Sequence, residues 1–521
     1  MRLSRLLAAL QTPLPPGSAD PDITGVVFDS RRVRPGSLFV ACVGGTVDGH
    51  AFIPQAVAAG AAAAVVEHEG RPPEPTVPCV RVEDSRRALG LLAAAWNGFP
   101  SRRMILIGVT GTDGKTTTVN LIFHILRQTG FRAGMIGTTG AVFGGRELDT
   151  GFHVTTPDAP ALQEHLAQMA AGGITHCVIE VTSHGLAQRR VAGCEFDLAV
   201  LTNITHEHLD YHGTFEEYRS VKAGLFAMLE QKTAKLGNPT PCAVLNADDP
   251  SCEYLRGVTK ARVVTYGVRA NADFTAAEIH PTATGLRLTV RAGGTESAVT
   301  SPLLGEYNAA NILAALAVCV QGLGIDARVA AQCVATVPGV PGRMERIDLG
   351  QEFLAIVDFA HTPNALGNAL RTARALARGR VIAVFGSAGL RDRKKRRQMA
   401  AEGIELADLV VLTAEDPRTE SPDDILAEMA EGARAGGGVE GKTFFRIPDR
   451  GEAVRFAVDS ARPGDLVIAC GKGHEQSMCF GEVEYPWDDR LAMRAALAKR
   501  LGVPGPAMPV LPTTNRSKED H

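Results

Sequence analysis

The sequence predicts an α/β protein of parallel sheets, divided into three domains. Three observations carry this reading. At 521 residues the chain is too long for one domain, since domains run to about 100–200 residues. Glycine (55) and proline (30) are plentiful while aromatics make up 5%, a mix that suits layered elements joined by many short loops. One local pattern also recurs: an apolar run stops abruptly at polar residues, and a helical pattern follows. Continuous apolar strands alternating with helices mean sheets covered on both faces. With 45% hydrophobic and 21% charged residues the chain can fill its cores, which excludes disorder over most of its length.

The elements follow in order. Residues 1–100 open on a polar, proline-rich stretch and then give short strand candidates in GVVFDS, SLFVACV and AAAAVV. Near residue 100 the pattern changes to a buried-strand run, MILIGVT, a Gly/Thr-rich loop, and a helix capped at Gly130. The strand-then-polar pattern returns at 176–184, 198–208, 242–250, 354–361, 381–389, 409–418 and 466–475. The punctuation VPGVPGRMERID marks a boundary near 340. The expected domains are 1–100, 101–340 and 341–510, with a disordered tail over 511–521. In open α/β sheets ligands sit beyond the carboxyl ends of the strands, so the polar residues ending these runs are the candidate site residues.

Composition limits the partners. Lys and Arg number 54 against 57 Asp and Glu, a formal charge of −3, which disfavours nucleic acid or an anionic membrane surface. Ten cysteines, none in a C-x-x-C and most in apolar runs, read as reduced thiols of a cytoplasmic protein. The apolar run at residues 6–10 is short for a signal peptide, and no stretch approaches the ~18 apolar residues of a membrane span.

The strongest local signal is the run Thr110, Gly111, Thr112, Asp113, Gly114, Lys115, Thr116 between a strand and a helix. Such a turn lets backbone N–H groups close around phosphate oxygens at a helix N-terminus, with the lysine reaching the terminal phosphates and the threonine hydroxyl available to Mg²⁺. The strict P-loop spacing is not met, because Val109 stands where a glycine belongs. The bland alternative is a tight turn.

Around this loop the motifs TGTDGKTTT, HVTTPDAP, EVTSHGLAQRRV, LTNITHEHLDYHGTFEEYRSVK, NADDP, GEYNAANILAA, GRMERI, VDFAHTPNAL, GSAGLRDR, EDPR and GKGHE together resemble the Mur ligase family. Within it they resemble the branch that joins a diamino acid to UDP-MurNAc-L-Ala-D-Glu. The resemblance runs from about residue 27 to 490 and implies a central P-loop ATPase domain and a Rossmann-like C-terminal domain. It implies that ATP phosphorylates the D-Glu side-chain carboxylate, and that the amino group of a diamino acid (meso-diaminopimelate, lysine or ornithine) attacks the acyl phosphate. Phosphoryl transfer is mostly positioning and charge neutralisation. Lys115 and Mg²⁺ are the candidates for that task.

The resemblance also assigns residues. Thr116, Glu180 and His208 become Mg²⁺ ligands, joined by Lys222 as a carbamate, with Lys115, Lys222 and His208 as the catalytic set. Asn308, Arg343 and His361 become ATP contacts beside 110–116. Ser30 falls at the uridine end, and Thr155, Thr156, Thr182, Gln188 and Arg190 fall on the muramoyl-dipeptide. Arg391, Asp416, Arg418, Gly471 and Glu475 fall on the incoming amino acid. Glu207 stands where the family often has Asp. The basic run 391–397 is either a solvated helix start or, in part, phosphate-facing. A monomer is expected. The rival readings are another ligase of the superfamily, such as a folylpolyglutamate-synthetase-like enzyme, and a non-catalytic paralogue.

The amino acid stays open. Family members that add meso-diaminopimelate typically read Asp-Asn-Pro-Arg, the arginine gripping the distal carboxylate. Here the loop is Glu415-Asp416-Pro417-Arg418. A carboxylate at 416 cannot donate to the distal carboxylate and would repel it, by about 4 kcal/mol at ~4 Å with an effective dielectric near 20. Asp416 therefore favours lysine or ornithine, while Arg418 favours diaminopimelate.

Overall fold

The structure, a computed structural model, describes residues 1–44, 47–67, 76–148, 155–205, 207, 209–230, 235, 240–282 and 284–514. The chain forms two compact units: residues 1–273 with 314–330, and residues 274–313 with 331–521.

The first unit holds two sheets. Residues 1–100 give a parallel sheet of Gly25–Val27, Ser37–Val40, Ala63–Val66 and Cys79–Arg81, in that order. Leu38, Val40, Ala63 and Val65 pack there on Leu89 and Leu92 of the helix Ser85–Trp96. The second sheet runs in the order 262–267, 242–246, 198–201, 105–110, 176–180, 133–137. These strands are mutually parallel and almost wholly buried. Two antiparallel strands, Gly140–Phe143 and Arg146–Leu148, extend one edge. Ile105–Thr110 lies in the middle of this sheet, so the loop after it emerges at the carboxyl edge, where the sequence places the phosphate loop. The helix Ser85–Trp96 abuts the second sheet's domain closely. A Cβ on Gly90 would lie 2.5 Å from the carbonyl oxygen of Ala192.

The second unit has a six-stranded sheet in the order 345–346, 354–358, 466–470, 381–385, 409–412, 444–446, parallel apart from its first strand. Apolar side chains cover both faces. Every strand candidate singled out in the sequence forms a strand here. A three-stranded antiparallel block, Phe274–Thr282, Gly285–Ala292 and Thr295–Ser301, carried no such run; its strands alternate buried and exposed residues. Among the described residues no helix is long and apolar enough to cross a membrane.

One expectation is corrected at the C-terminus. Leu511 and Thr513 are buried, so the chain is packed through residue 514 rather than disordered from 511. Residues 515–521 lie outside the described residues.

Candidate functional site

In the first unit the site is built on strand ends. Gly111 has φ 150° and Gly114 has φ 82°, the left-handed region that favours glycine. A Cβ on Gly111 would sit 1.8 Å from Thr202 Oγ1. Asn203 shapes the loop from the neighbouring strand end: its carbonyl accepts from Thr112 N–H (2.7 Å), its Oδ1 accepts from Asp113 N–H (2.9 Å), and its Nδ2 donates to Asp113 O (3.2 Å). Thr110 O accepts from Thr202 N–H (2.9 Å). Lys115 opens the 14-residue helix Lys115–Gln128, and its Nζ donates to Thr112 O at 2.8 Å. The result is a backbone cradle at a helix N-terminus, suited to an anion.

Against this cradle stands an oxygen cluster. Thr116 Oγ1 donates to both carboxylate oxygens of Glu180 (3.0 and 3.1 Å). Thr138 donates to Glu180 Oε2 from its hydroxyl (2.8 Å) and its N–H (3.2 Å). All the donors are hard oxygens, a set that fits Mg²⁺ rather than a softer metal. Among the described residues no group of three or more His, Cys, Asp or Glu is placed to hold a metal ion, so a cation held by Thr116 and Glu180 needs ligands from elsewhere. His208 lies outside the described residues. Lys222, on the helix Phe215–Ala227, is 1% exposed. Its Nζ donates to Gly111 O (2.7 Å) and lies 4.5 Å from the centre of the Tyr218 ring. Burial, helped by the nearby Lys115 cation, pushes its pKa well below the ordinary lysine value.

The expected dipeptide residues adjoin the same strand end. Thr156 Oγ1 donates to Glu180 O (2.9 Å), accepts from Thr182 N–H (3.1 Å) and shares a hydrogen bond with Thr182 Oγ1 (3.1 Å). Thr155 accepts from Thr138 Oγ1 (3.1 Å). Arg190 donates to Thr156 O (2.7 Å) and, from Nε and Nη2, to Gln188 Oε1 (3.1 and 2.8 Å). Thus Thr155, Thr156, Thr182, Gln188 and Arg190 form one network with Glu180. Ser30 is not part of it; its hydroxyl donates to Gln55 Oε1 at 3.1 Å.

The second unit gathers the remaining residues in two groups. Arg343 stacks over Phe359, 4.3 Å from the ring centre, and His361 packs on the same ring (4.6 Å between centres). Asn308 is engaged internally, donating to Leu304 O (2.7 Å) and accepting from Asn311 (2.8 Å). The other group is the loop 415–418 facing 471–475. Asp416 accepts from Lys472 Nζ through both oxygens (2.9 Å each) and from Cys479 N–H (2.9 Å). Lys472 is fully buried and also pairs with Glu475 (2.6 Å). Arg418 Nη1 donates to Gly389 O (3.3 Å). Gly471 has φ 113°, a conformation that favours glycine, and a Cβ there would lie 2.3 Å from Glu415 Oε2. Glu415 is buried, and that burial raises its pKa to about 7.

Two expectations change. The Asp416 carboxylate pairs with Lys472, a cation it shares with Glu475, so the predicted repulsion of a substrate carboxylate is weakened. Three residues of the basic run are committed to acids on the helix Pro422–Ala435 and the turn before it. Arg393 pairs with Glu428, Arg396 with Glu420 (2.9 Å) and Glu428 (3.3 Å), and Arg397 with Glu431 (2.6 Å). Arg391 is exposed. Sequence reasoning missed Thr138, Asn203 and Lys472. Lys472 sits inside GKGHE and Asn203 inside LTN, so the motifs contained both, but only their spatial partners give them a role.

Three stretches match known family domains: residues 22–97 the Mur ligase family catalytic domain, 109–319 the Mur ligase middle domain, and 342–473 the Mur ligase glutamate ligase domain. A UDP-N-acetylmuramyl-tripeptide synthetase of Roseiflexus sp. (strain RS-1) is 46% identical, covering 97% of this chain and 100% of the relative. A UDP-N-acetylmuramoyl-L-alanyl-D-glutamate–2,6-diaminopimelate ligase of Geobacillus thermodenitrificans (strain NG80-2) is 43% identical over 96% of this chain and 100% of its own length. A solved structure of a ligase with that same name superposes with a TM-score of 0.67 at 32% identity, covering 96% of this chain and 100% of the other. With the phosphate cradle, the Glu180 cluster and these matches together, the chain belongs to the Mur ligase family of ATP-dependent acid–amino-acid ligases.

Proposed function

We propose that the protein is a cytoplasmic ligase that adds diaminopimelate to the D-Glu side chain of UDP-MurNAc-L-Ala-D-Glu at the expense of ATP, in peptidoglycan precursor synthesis. The γ-phosphoryl group moves to the D-Glu carboxylate. The diaminopimelate amine then attacks the acyl carbon, loses a proton, and expels phosphate as the amide forms.

The chain's own residues divide this work. The backbone amides of 111–114 and the Lys115 ammonium hold the phosphates, and the Thr156–Arg190 network orients the dipeptide. Thr116 and Glu180 hold Mg²⁺, which neutralises phosphate charge when bound. Lys222 reacts as its neutral amine with CO₂, giving a carbamate and releasing a proton. Its burial beside Gly111 favours the uncharged amine that this step needs, and the carbamate puts an anionic oxygen ligand where a neutral amine stood. Arg343, Phe359 and His361 offer a stacking and hydrogen-bonding surface for adenine.

The choice of diaminopimelate is carried by one observation, the Asp416–Lys472 pair. With both oxygens on the buried Lys472 ammonium, Asp416 opposes a distal carboxylate held by Arg418 less than an unpaired acid would. The second reading, lysine or ornithine, is favoured by the presence of a carboxylate at 416. Phosphate release measured with UDP-MurNAc-L-Ala-D-Glu, ATP and each amino acid decides between them: turnover confined to lysine or ornithine overturns the diaminopimelate reading. Turnover that survives in Lys115→Ala overturns the phosphate-loop assignment.

A further inference from the structure

Ala414 and Cys470 each immediately precede one of the two loops assigned to the amino acid. The fully buried Arg450 ties them together, donating from Nη1 to Ala414 O (3.2 Å) and from Nη2 to Cys470 O (2.7 Å). Asp489 accepts from the same guanidinium through both oxygens (2.7 and 2.6 Å), and Trp487 Nε1 donates to Asp489 Oδ1 (2.9 Å). The 415–418 loop needs such support, because Asp416 (φ 40°) and Arg418 (φ 55°) are non-glycine residues in left-handed conformations. Strain of this kind persists only where neighbours over-determine the backbone. The hairpin of Ser477–Phe480 and Val483–Pro486 supplies part of that restraint: Arg418 N–H donates to Cys479 O (3.0 Å), and Gly481 N–H donates to Arg418 O (2.7 Å).

The C-terminal segment closes the other side of this assembly. Leu511, 3% exposed, shares one apolar cluster with Ala414, Met478, Trp487 and Ala492. The hydroxyls of Thr513 and Thr514 both donate to Asp449 Oδ2 (2.9 Å each). Asp449 in turn caps the helix Arg450–Ser460 through Glu452 N–H (2.8 Å). Tail, hairpin base and Arg450 therefore meet at the foot of the amino-acid loop.

We propose that residues 511–514 are a positioning element of the amino-acid site: by holding Trp487, Met478 and Ala414 in one cluster and anchoring Asp449, they set the 415–418 loop, so affinity for the incoming amino acid depends on them. The inference rests on the reading that this loop holds the amino acid. Small misplacements of binding groups are costly even when nothing touching the substrate has changed.

The test compares steady-state KM for all three substrates, using whichever of diaminopimelate, lysine and ornithine supports turnover. The proteins are the full chain, a chain ended after Val510, full-length Leu511→Ala and full-length Arg418→Ala, with folding checked by circular dichroism and melting. In the first two variants KM for the amino acid should rise roughly tenfold, equivalent to about 1.4 kcal/mol. KM for ATP and for UDP-MurNAc-L-Ala-D-Glu should stay within about twofold. Should the shortened chain fail to fold, Leu511→Ala carries the test. An unchanged amino-acid KM in Leu511→Ala, with Arg418→Ala raising it, overturns the proposal alone. A uniform loss across all three substrates also overturns it, since the tail would then be a general stabiliser. An unchanged amino-acid KM in Arg418→Ala overturns the loop assignment and the proposal with it.

Discussion

At the scale of single residues, two buried ionisable groups have measurable consequences. Glu415 has an ordinary pKa of 4.5 and a folded value near 7, set mainly by burial. The folded state therefore holds this proton more tightly than the unfolded chain. The stability it contributes is complete below pH 4.5, is lost as pH rises through 7, and is level above that. Glu415→Gln keeps the shape and removes the titration. Denaturant unfolding at several pH values should show the wild-type decline between pH 4.5 and 7, on the order of 3 kcal/mol, flattened in the variant. An equally steep decline in Glu415→Gln would refute this. Lys222→Met keeps the length of the buried aliphatic chain and loses the nucleophilic amine. Activity should fall by at least about a hundredfold, as when charge stabilisation is removed from an active site, with the melting temperature little changed. Retained activity would show that no carbamate is needed.

At the scale of elements, close approach decides the sign of a substitution. Replacing a helical glycine with alanine ordinarily stabilises by roughly 0.5–1 kcal/mol. In Gly90→Ala the new methyl would meet the Ala192 carbonyl at 2.5 Å, so the substitution should lower the melting temperature instead. A higher one would mean the helix can shift away. Thr156→Val is nearly isosteric but leaves Glu180 O and Thr182 N–H without their hydroxyl partner, at a cost of about 1–3 kcal/mol. It should also raise KM for the UDP-linked substrate, measured against an unchanged KM for ATP. The parallel strands, that of Glu180 among them, were legible in sequence because fully buried parallel strands are written as unbroken apolar runs. The block 274–301 was not, because half-exposed antiparallel strands alternate and resemble loops. The last residues read as linker for a related reason. Leu511 stands among prolines, and only the Trp487 cluster gives it a place to be buried.

At the scale of the whole molecule, the phosphate loop and the amino-acid loop lie in separate compact units, each with its own cores. A nucleotide held by the cradle stabilises the folded state by mass action, by about 2.7 kcal/mol at a hundredfold excess over Kd. Calorimetry with a non-hydrolysable ATP analogue should therefore raise a melting transition in the wild type and leave it in place in Lys115→Ala. An equal shift in both would place the nucleotide elsewhere. The loop could be recognised from sequence because its residues are consecutive. The ion pair between Asp416 and Lys472 joins positions 56 apart, and a lysine inside a glycine-rich motif does not announce which carboxylate it will meet. The amino-acid question was undecidable from sequence for that reason.

The same pair sets an order on mutational history. Lys472 serves two carboxylates, Asp416 and Glu475. Exchanging Asp416 for asparagine still leaves the buried ammonium with Glu475, so that step is open. Losing Lys472 first would leave two acids facing each other without a cation, a buried-charge defect of several kcal/mol. Position 416 can thus drift between acid and amide while 472 stays lysine, and an amide-to-acid change here needs no compensating partner to arise alongside it.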